Sequence, residues 1–174
     1  NAIGQYSFGA NNVVHFNKLE KLFDVAIIMD CSQCPIHPTL KSVFTEHAKK
    51  DADIVRKHGA QPIFFMSWAY ADKPEMTAEL AEAYTVAGNA NGALVIPAGL
   101  AFANALKQRP GLILNAEDKR HPSLAGTYLA ACTVYASLYK KSPEGLKYEA
   151  GLPDADAKFL QTVAWQTVQQ YYGK

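Results

Sequence analysis

The fold is decided by residues 23–29, which read FDVAIIM. Apart from its one aspartate this segment is apolar and rich in residues that favour strands, which predicts a central parallel strand covered on both faces. Two segments of the same character follow, PIFFMS at residues 62–67 and ALVIP at residues 93–97. Helical patterns separate the three, and strands that alternate with helices indicate an α/β fold with a doubly wound sheet.

Five helices are expected between and after these strands, because apolar residues recur there every three or four positions. Their ends carry residues that start and stop helices: Gly59 is placed to end the first, Gly88 and Gly92 bracket the exit of the second, and Ser123 is a good N-cap for the fourth. The expected ranges are residues 40–58, 74–87, 100–108, from 123 onward, and 154–172.

The strand at residues 23–29 has little sequence before it with which to pair. Residues 1–22 could supply one short strand at most, and native proteins normally cover an unpaired apolar edge. We therefore expect a further strand beside residues 23–29, contributed by an upstream segment or by a second chain.

The composition excludes several classes of function. The chain has 174 residues, 49% of them hydrophobic, which predicts one globular domain over residues 1–174. Seventeen Lys and Arg against sixteen Asp and Glu give a net charge of +1, and no long run of one sign points to nucleic acid. The apolar runs are far shorter than the roughly 20 residues of a membrane span.

The segment most informative about chemistry is DKRHPS, which begins at Asp118 and ends at Ser123. It places a carboxylate and the imidazole of His121 three residues apart in a loop before a helix. An aspartate in that position can fix the tautomer of the histidine and stabilise its protonated form, while the other ring nitrogen faces a nucleophile. The alternative is an ordinary surface turn near a helix N-terminus.

In its context the segment resembles the last conserved block of the SGNH (GDSL-like) hydrolases of bacteria. The residues that carry the resemblance are Asp118, His121, Pro122 and Gly126, ahead of an alanine-rich helix. The resemblance implies a three-layer α/β/α sandwich with a parallel, flavodoxin-like sheet. It also implies a Ser-His-Asp triad in which His121 is general base and then general acid, and Asp118 orients it.

The chain departs from that family in its nucleophile. Members carry the serine in a Gly-Asp-Ser or Gly-Asn-Ser turn, and this sequence contains neither. Ser7 is the nearest imitation, but only about sixteen residues separate it from the strand at 23–29, which leaves no room for the intervening helix and strand. The chain thus resembles the C-terminal two-thirds of the family, without the N-terminal strand and the nucleophile segment.

The resemblance also implies candidates for the oxyanion hole and the substrate pocket. Gly9 corresponds to the family's oxyanion glycine, and Ser32 or Gln33 stands where the family has a donor asparagine. Trp68, with Tyr70 and Asp72 behind it, could line an acyl or sugar pocket or could simply pack. The expected substrate is a small ester or an acylated carbohydrate, with no cofactor or metal, and the periplasm or the exterior is a candidate location.

Two alternatives from other classes stay open. Without its serine the chain would be a non-catalytic binding relative that retains a pocket. Cys31 and Cys34 form a C-x-x-C pair just past a strand, which could be a redox dithiol, a local disulfide or two ordinary thiols. A zinc site that adds His37 would lack a fourth ligand.

Overall fold

The computed structural model describes residues 23–173, together with the backbone of two short strands that precede them. These strands, β1 (Tyr6–Phe8) and β2 (Val14–Phe16), pair antiparallel with Ser7 opposite His15. They form a two-stranded sheet of their own. This corrects the expectation of one short strand at most before residue 23.

The main sheet contains three parallel strands in the order β3, β4 and β5. Their bounds are Val25–Ile28, Gln61–Phe65 and Leu94–Ile96. The helix α1 (Lys41–Lys57) connects β3 to β4, and α2 (Met76–Asn91) connects β4 to β5. The α/β fold expected from the alternating pattern is therefore confirmed.

The first of these strands lies at the edge of the described sheet, and β4 occupies the centre. Ile27 is 46% exposed and Met29 is 58% exposed, whereas Ile28 packs against the core. Among the described residues β3 has one strand neighbour, so its central position stays a prediction that depends on the further strand expected beside it. An apolar composition predicts that a strand needs cover, but it does not show which neighbour provides it.

Helices cover both faces of the sheet. Phe64 and Val95 pack on one face against α1 and α2, and Ile63 and Ile96 pack on the other face. That second face is covered by α4 (Leu124–Tyr139), which in turn packs on α3 (Ala98–Gln108) and α5 (Asp154–Tyr172). Successive residues of a strand point to opposite faces, so the alternation along β4 produces the three layers.

Two helices differ from their expected ranges by two residues or more. α2 begins two residues later than its pattern predicted and runs one turn farther, and α3 begins two residues earlier, at Ala98. Gly88, expected at the exit of α2, lies inside the helix, where a Cβ would come within 2.4 Å of the Val95 side chain. Gly92 ends α2 with a φ of 54°. Among the described residues no helix has both the length and the hydropathy to cross a bilayer.

The last helix closes the free edge of β5. The Tyr172 hydroxyl donates a 2.5 Å hydrogen bond to the Val95 carbonyl, and the Tyr171 hydroxyl shares one of 2.7 Å with Thr85. Burial raises the pKa of Tyr172 to about 12, with a further contribution from Tyr171 beside it. Because the end of α5 supplies a donor to the strand, this edge is not open to pairing with another chain.

The glycine of the DKRHPSLAG segment is required by close packing. A Cβ on Gly126 would lie 2.1 Å from the Leu114 carbonyl oxygen and 2.9 Å from the Phe102 ring. The first turn of α4 therefore rests directly on the backbone that leads into the Asp118 loop.

We predict that Gly126→Ala destabilises the protein by about 1–3 kcal/mol, because the added methyl group overpacks against backbone that cannot move aside. This value is net of the roughly 1 kcal/mol that alanine would otherwise contribute in a helix. Urea unfolding measures the difference. Gly111→Ala is the control, since a Cβ there meets nothing within 4 Å. Equal midpoints for the two variants would contradict the prediction.

Candidate active site

Three loops meet at the carboxyl edge of the parallel sheet, where α/β folds bind ligands. The loop after β4 forms a hydrogen bond with each of the other two loops. The Ser67 hydroxyl donates to the Ser32 carbonyl, in the loop after β3, at 3.4 Å. The Trp68 indole N–H donates to the Arg120 carbonyl, in the loop before α4, at 2.8 Å. The segments after β3 and β4 are thus joined to the Asp118 loop.

The loop between α3 and α4 is closed at its base. Asn115 and Pro122 form an antiparallel bridge, and the N–H of Ala116 donates to the His121 carbonyl at 2.8 Å. At the tip, Lys119 adopts a φ of 64°, which is uncommon for a residue with a side chain. The closure holds the backbone between Asp118 and His121 in a tight turn.

Asp118 and His121 form a hydrogen-bonded pair within this turn. One carboxylate oxygen of Asp118 accepts the backbone N–H groups of Arg120 and His121, each at 2.9 Å, and the other bonds His121 Nδ1. These bonds lower the pKa of Asp118 to about 2, the largest contribution coming from the His121 side chain. The carboxylate is therefore ionised at neutral pH.

An ionised Asp118 determines what the histidine can do. With Nδ1 donating to the carboxylate, Nε2 of a neutral imidazole is left as an acceptor. The His121 side chain is 81% exposed, and Asp118 is the only hydrogen-bond partner of its ring among the described residues. The pair therefore presents a proton acceptor to whatever occupies this edge of the sheet.

Trp68 belongs to the support of this loop. Its ring stacks on Phe102 with centroids 4.5 Å apart and planes 6° apart. The Phe65 ring stands nearly perpendicular to it, with the two centroids 6.3 Å apart. The indole N–H donates to the Arg120 carbonyl and is not left for a ligand. The proposed role of Trp68 in a substrate pocket stays a prediction, and these contacts indicate packing, the second of its two expected roles.

Further contacts fasten the tip of the loop to the segment after β4. The Ala71 N–H donates to the Lys119 carbonyl at 2.9 Å, and the Lys119 ammonium lies 3.7 Å from Asp72. The Arg120 guanidinium sits 5.1 Å from the centroid of the Tyr70 ring. The sequence did not identify these partners, since 46 or more positions separate each pair of residues.

A cleft of about 410 Å³ runs beside the loop, between the start of α2 and one face of α3. Tyr70 and Phe102 supply aromatic walls, Asn115 lies at the loop end, and Lys107 is the charged residue of its lining. The cleft is apolar over most of its surface, as expected of a site for a small organic molecule.

The remaining candidates for the oxyanion hole are not brought to the pair by any described contact. Ser32 and Gln33 are exposed, and their side chains make no hydrogen bond within the described residues. Gly9 lies outside the described residues. All three assignments stay predictions.

Cys31 and Cys34 form a disulfide, which was one of the alternatives for this pair. Together with Asp30 they are the one group of possible metal ligands in the described part of the chain. Because the disulfide consumes both thiolates, these residues as they stand do not fit zinc. His37 lies outside the group, and its Nδ1 contacts Thr39 at 3.0 Å. Reversible redox activity of the disulfide stays a prediction.

Comparison with solved structures supports the fold. The chain is similar to a DUF4886 family protein from Bacteroides uniformis ATCC 8492, with 19% identity and a TM-score of 0.70 over 97% of this chain and 74% of that one. It is also similar to a candidate SGNH hydrolase from Slackia heliotrinireducens, with 26% identity and a TM-score of 0.57. That match covers 67% of this chain and 66% of the other.

Comparison by sequence finds less. No family model matches the chain, and no curated protein matches it. The expectation of an SGNH-like fold, drawn from the DKRHPSLAG segment and the order of the strands, is confirmed by the structural similarity.

We predict that Trp68→Phe loosens the Asp118 loop. The ring still stacks on Phe102, but the Arg120 carbonyl loses its donor, at a cost of about 1 kcal/mol. The Asp118–His121 bond weakens, so the pKa of Asp118 rises toward 3.8, as NMR titration of the carboxyl group would show. Trp165→Phe, on α5, is the control. A titration of Asp118 identical to that of the wild type would show that the Trp68–Arg120 hydrogen bond does not support the loop.

We also predict an effect of Asp118 on acid stability. Its folded-state pKa lies below the ordinary 3.8, so the carboxylate stabilises the fold above that value. This contribution is lost as the pH falls from about 4 to about 2. In Asp118→Asn, the free energy of unfolding should fall less steeply over that range. Glu117→Gln, at an exposed neighbour, should retain the wild-type slope. Identical slopes in all three proteins would exclude the effect.

Proposed function

We propose that this protein is a serine esterase or acyl hydrolase of the SGNH type, in which Asp118 and His121 are two members of a Ser-His-Asp triad. The observation that carries the proposal is the hydrogen bond between the two side chains, with the histidine ring exposed beyond it. The SGNH-like fold supports it, because the pair stands at the carboxyl edge of the sheet.

The reaction follows from the hydrogen bond between the two side chains. Nε2 of His121 removes the proton from the serine hydroxyl as its oxygen attacks the ester carbonyl carbon. The protonated ring, held by the Asp118 carboxylate, then gives that proton to the departing alcohol, and an acyl-enzyme forms. A water molecule then attacks the acyl carbon while His121 takes its proton. The protonated ring returns that proton to the serine oxygen as the carboxylic acid leaves.

The nucleophile would come from outside residues 23–173. The exposed edge of β3, with Ile27 and Met29, suits a further parallel strand that brings the serine to the same edge of the sheet. A cleft of about 290 Å³ lined by Met29, Val43 and His47 lies between that strand and α1, where side chains of an added strand could pack. Burying these apolar groups would stabilise its docking.

The substrate class is a small ester or an acylated carbohydrate. The cleft beside Tyr70 and Phe102 has room for a small organic group, and its aromatic walls suit an acyl chain or the face of a sugar ring. Gly9, Ser32 and Gln33 are the candidates for donors to the oxyanion.

A second candidate is a non-catalytic binding relative. It is favoured by one observation, that no serine hydroxyl bonds to His121 among the described residues. In that case the Asp118 turn would only shape the rim of a ligand cleft.

We predict that His121→Ala in the full-length protein lowers the turnover of a p-nitrophenyl ester by about 10³-fold or more, because the proton acceptor is lost. The fold should persist, since the side chain is largely exposed. Glu117→Ala, in the same loop, should retain activity, because the Glu117 side chain is exposed and makes no hydrogen bond or ion pair within the described residues. A fluorophosphonate probe followed by peptide mapping would identify the serine. No labelling and no turnover in the wild type would favour the binding relative.

A further inference from the structure

The disulfide between Cys31 and Cys34 closes a short loop just after the carboxyl end of β3. The two residues inside this loop are Ser32 and Gln33, the candidates for donors to the oxyanion. The Ser67 hydroxyl donates to the Ser32 carbonyl at 3.4 Å, which joins the loop to the segment after β4. The disulfide therefore constrains a segment at the edge of the sheet where the candidate active site lies, and the proposed hydrolysis makes no use of its sulfur atoms.

The chain is anchored on both sides of this loop. Before it, the Asp30 N–H donates to the hydroxyl oxygen of Tyr84, a buried residue of α2, at 3.4 Å. After it, Pro35 is buried and Ile36 packs against the core. Neither cysteine of the disulfide belongs to the hydrophobic clusters of the described core, and a link across three positions constrains the unfolded chain little. Breaking the disulfide would therefore release residues 31–34 without unfolding the layers around them.

Inside the loop the disulfide is the main constraint. The Cys34 N–H donates both to the Cys31 carbonyl at 3.3 Å and to Cys31 Sγ at 3.0 Å, so one of its two acceptors is a sulfur of the disulfide. The side chains of Ser32 and Gln33 make no hydrogen bond within the described residues. Once the two sulfur atoms separate, the backbone of these two residues gains conformational freedom.

Two hydrogen bonds connect this loop to the residue that precedes His121. Ser67 donates to the Ser32 carbonyl, and its neighbour Trp68 donates to the Arg120 carbonyl. The donors are consecutive in the chain and lie in the segment that follows β4. A displacement of Ser32 therefore acts on the same segment that supports the histidine loop.

The disulfide is open to attack from solvent. Cys31 is exposed and Cys34 is half-buried. Exposed disulfides are more easily reduced than enclosed ones, and they are the ones that regulate or catalyse. Cys132, the remaining cysteine, is 3% exposed, and burial raises the pKa of its thiol to about 11. Because the thiolate is the reactive form, Cys132 does not compete in exchange at neutral pH.

From these observations we propose that the disulfide of Cys31 and Cys34 is an exchange site for a dithiol reductant, and that its reduction lowers the activity of the candidate active site. The oxidised form holds Ser32 and Gln33 at the edge of the sheet, and the reduced form releases them. The regulation rests on the proposed hydrolysis, whereas the exchange reaction does not.

The exchange proceeds in two steps. A thiolate of the reductant attacks Sγ of Cys31, the bond to Cys34 breaks, and the Cys34 sulfur leaves as a thiolate that takes up a proton. The second thiol of the reductant loses its proton and attacks its own sulfur in the mixed disulfide, which releases Cys31 to be protonated in turn. Two electrons and two protons thus pass from the dithiol to the protein, and the reductant becomes a disulfide.

The first test follows the exchange and the loop without reference to activity. In the full-length protein, alkylation and peptide mass mapping should find Cys31 and Cys34 modified only after treatment with dithiothreitol, a small dithiol. NMR should show the amides of residues 31–34 and the Trp68 indole shifted by the reduction, with β4 and β5 unchanged. A disulfide that resists excess dithiothreitol, or a reduction that unfolds the sheet, would overturn the proposal.

The second test measures the turnover of a p-nitrophenyl ester in the same two samples, after the reductant has been removed under nitrogen. Reduction should lower kcat about tenfold, less than the loss of a whole oxyanion donor costs, because the donors are loosened and not deleted. KM should change little, since such donors act on the transition state. Reoxidation should restore kcat.

Two variants complete the second test. The double variant Cys31→Ser and Cys34→Ser should have the lower kcat with or without dithiothreitol, whereas Cys132→Ala should respond to it as the wild type does. Equal kcat in the oxidised and reduced wild type would overturn the regulation and leave the hydrolysis in place. An absence of turnover in both states, with the loop signals still shifted by reduction, would refute the hydrolysis and support the exchange site alone.

Discussion

The candidate site depends on the close approach of α4 to the chain that precedes the Asp118 loop. The Ser123 N–H donates to the Leu114 carbonyl at 2.9 Å, and the Ser123 hydroxyl donates to the Ile113 carbonyl at 2.7 Å. Gly126 rests on the same Leu114 carbonyl, where a side chain could not fit. The two ends of the loop, Leu114 and Ser123, are therefore in contact, and only eight residues lie between them. A turn this short leaves few arrangements for Asp118 and His121.

The packing of the core also orients the loop. Trp68 stacks on Phe102 of α3 and donates its indole N–H to the Arg120 carbonyl. The packed aromatic rings therefore hold Arg120, the residue that precedes His121. The His121 side chain itself is exposed, and one carboxylate oxygen of Asp118 accepts two backbone N–H groups. Rigid support beneath an exposed imidazole is the arrangement that acid–base chemistry requires, since the ring must reach substrate without moving.

The two edges of the described sheet differ in how they are covered. At β5 the end of α5 covers the strand, and Tyr172 bonds to its backbone. At β3 the apolar residues Ile27 and Met29 are exposed, beside a cleft against α1. Native proteins blunt such edges or pair them. This asymmetry agrees with the proposed position of the nucleophile strand.

Local sequence determined the helices and strands of this protein and the pairing of Asp118 with His121. The apolar runs predicted three parallel strands, Gly59 and Ser123 marked helix ends where the structure has them, and the short spacing of Asp118 and His121 was enough to bring their side chains together. These features depend on residues within a few positions of one another. The edge position of β3 in the described sheet and the contacts of Trp68 were decided by tertiary structure alone, because each depends on partners far along the chain.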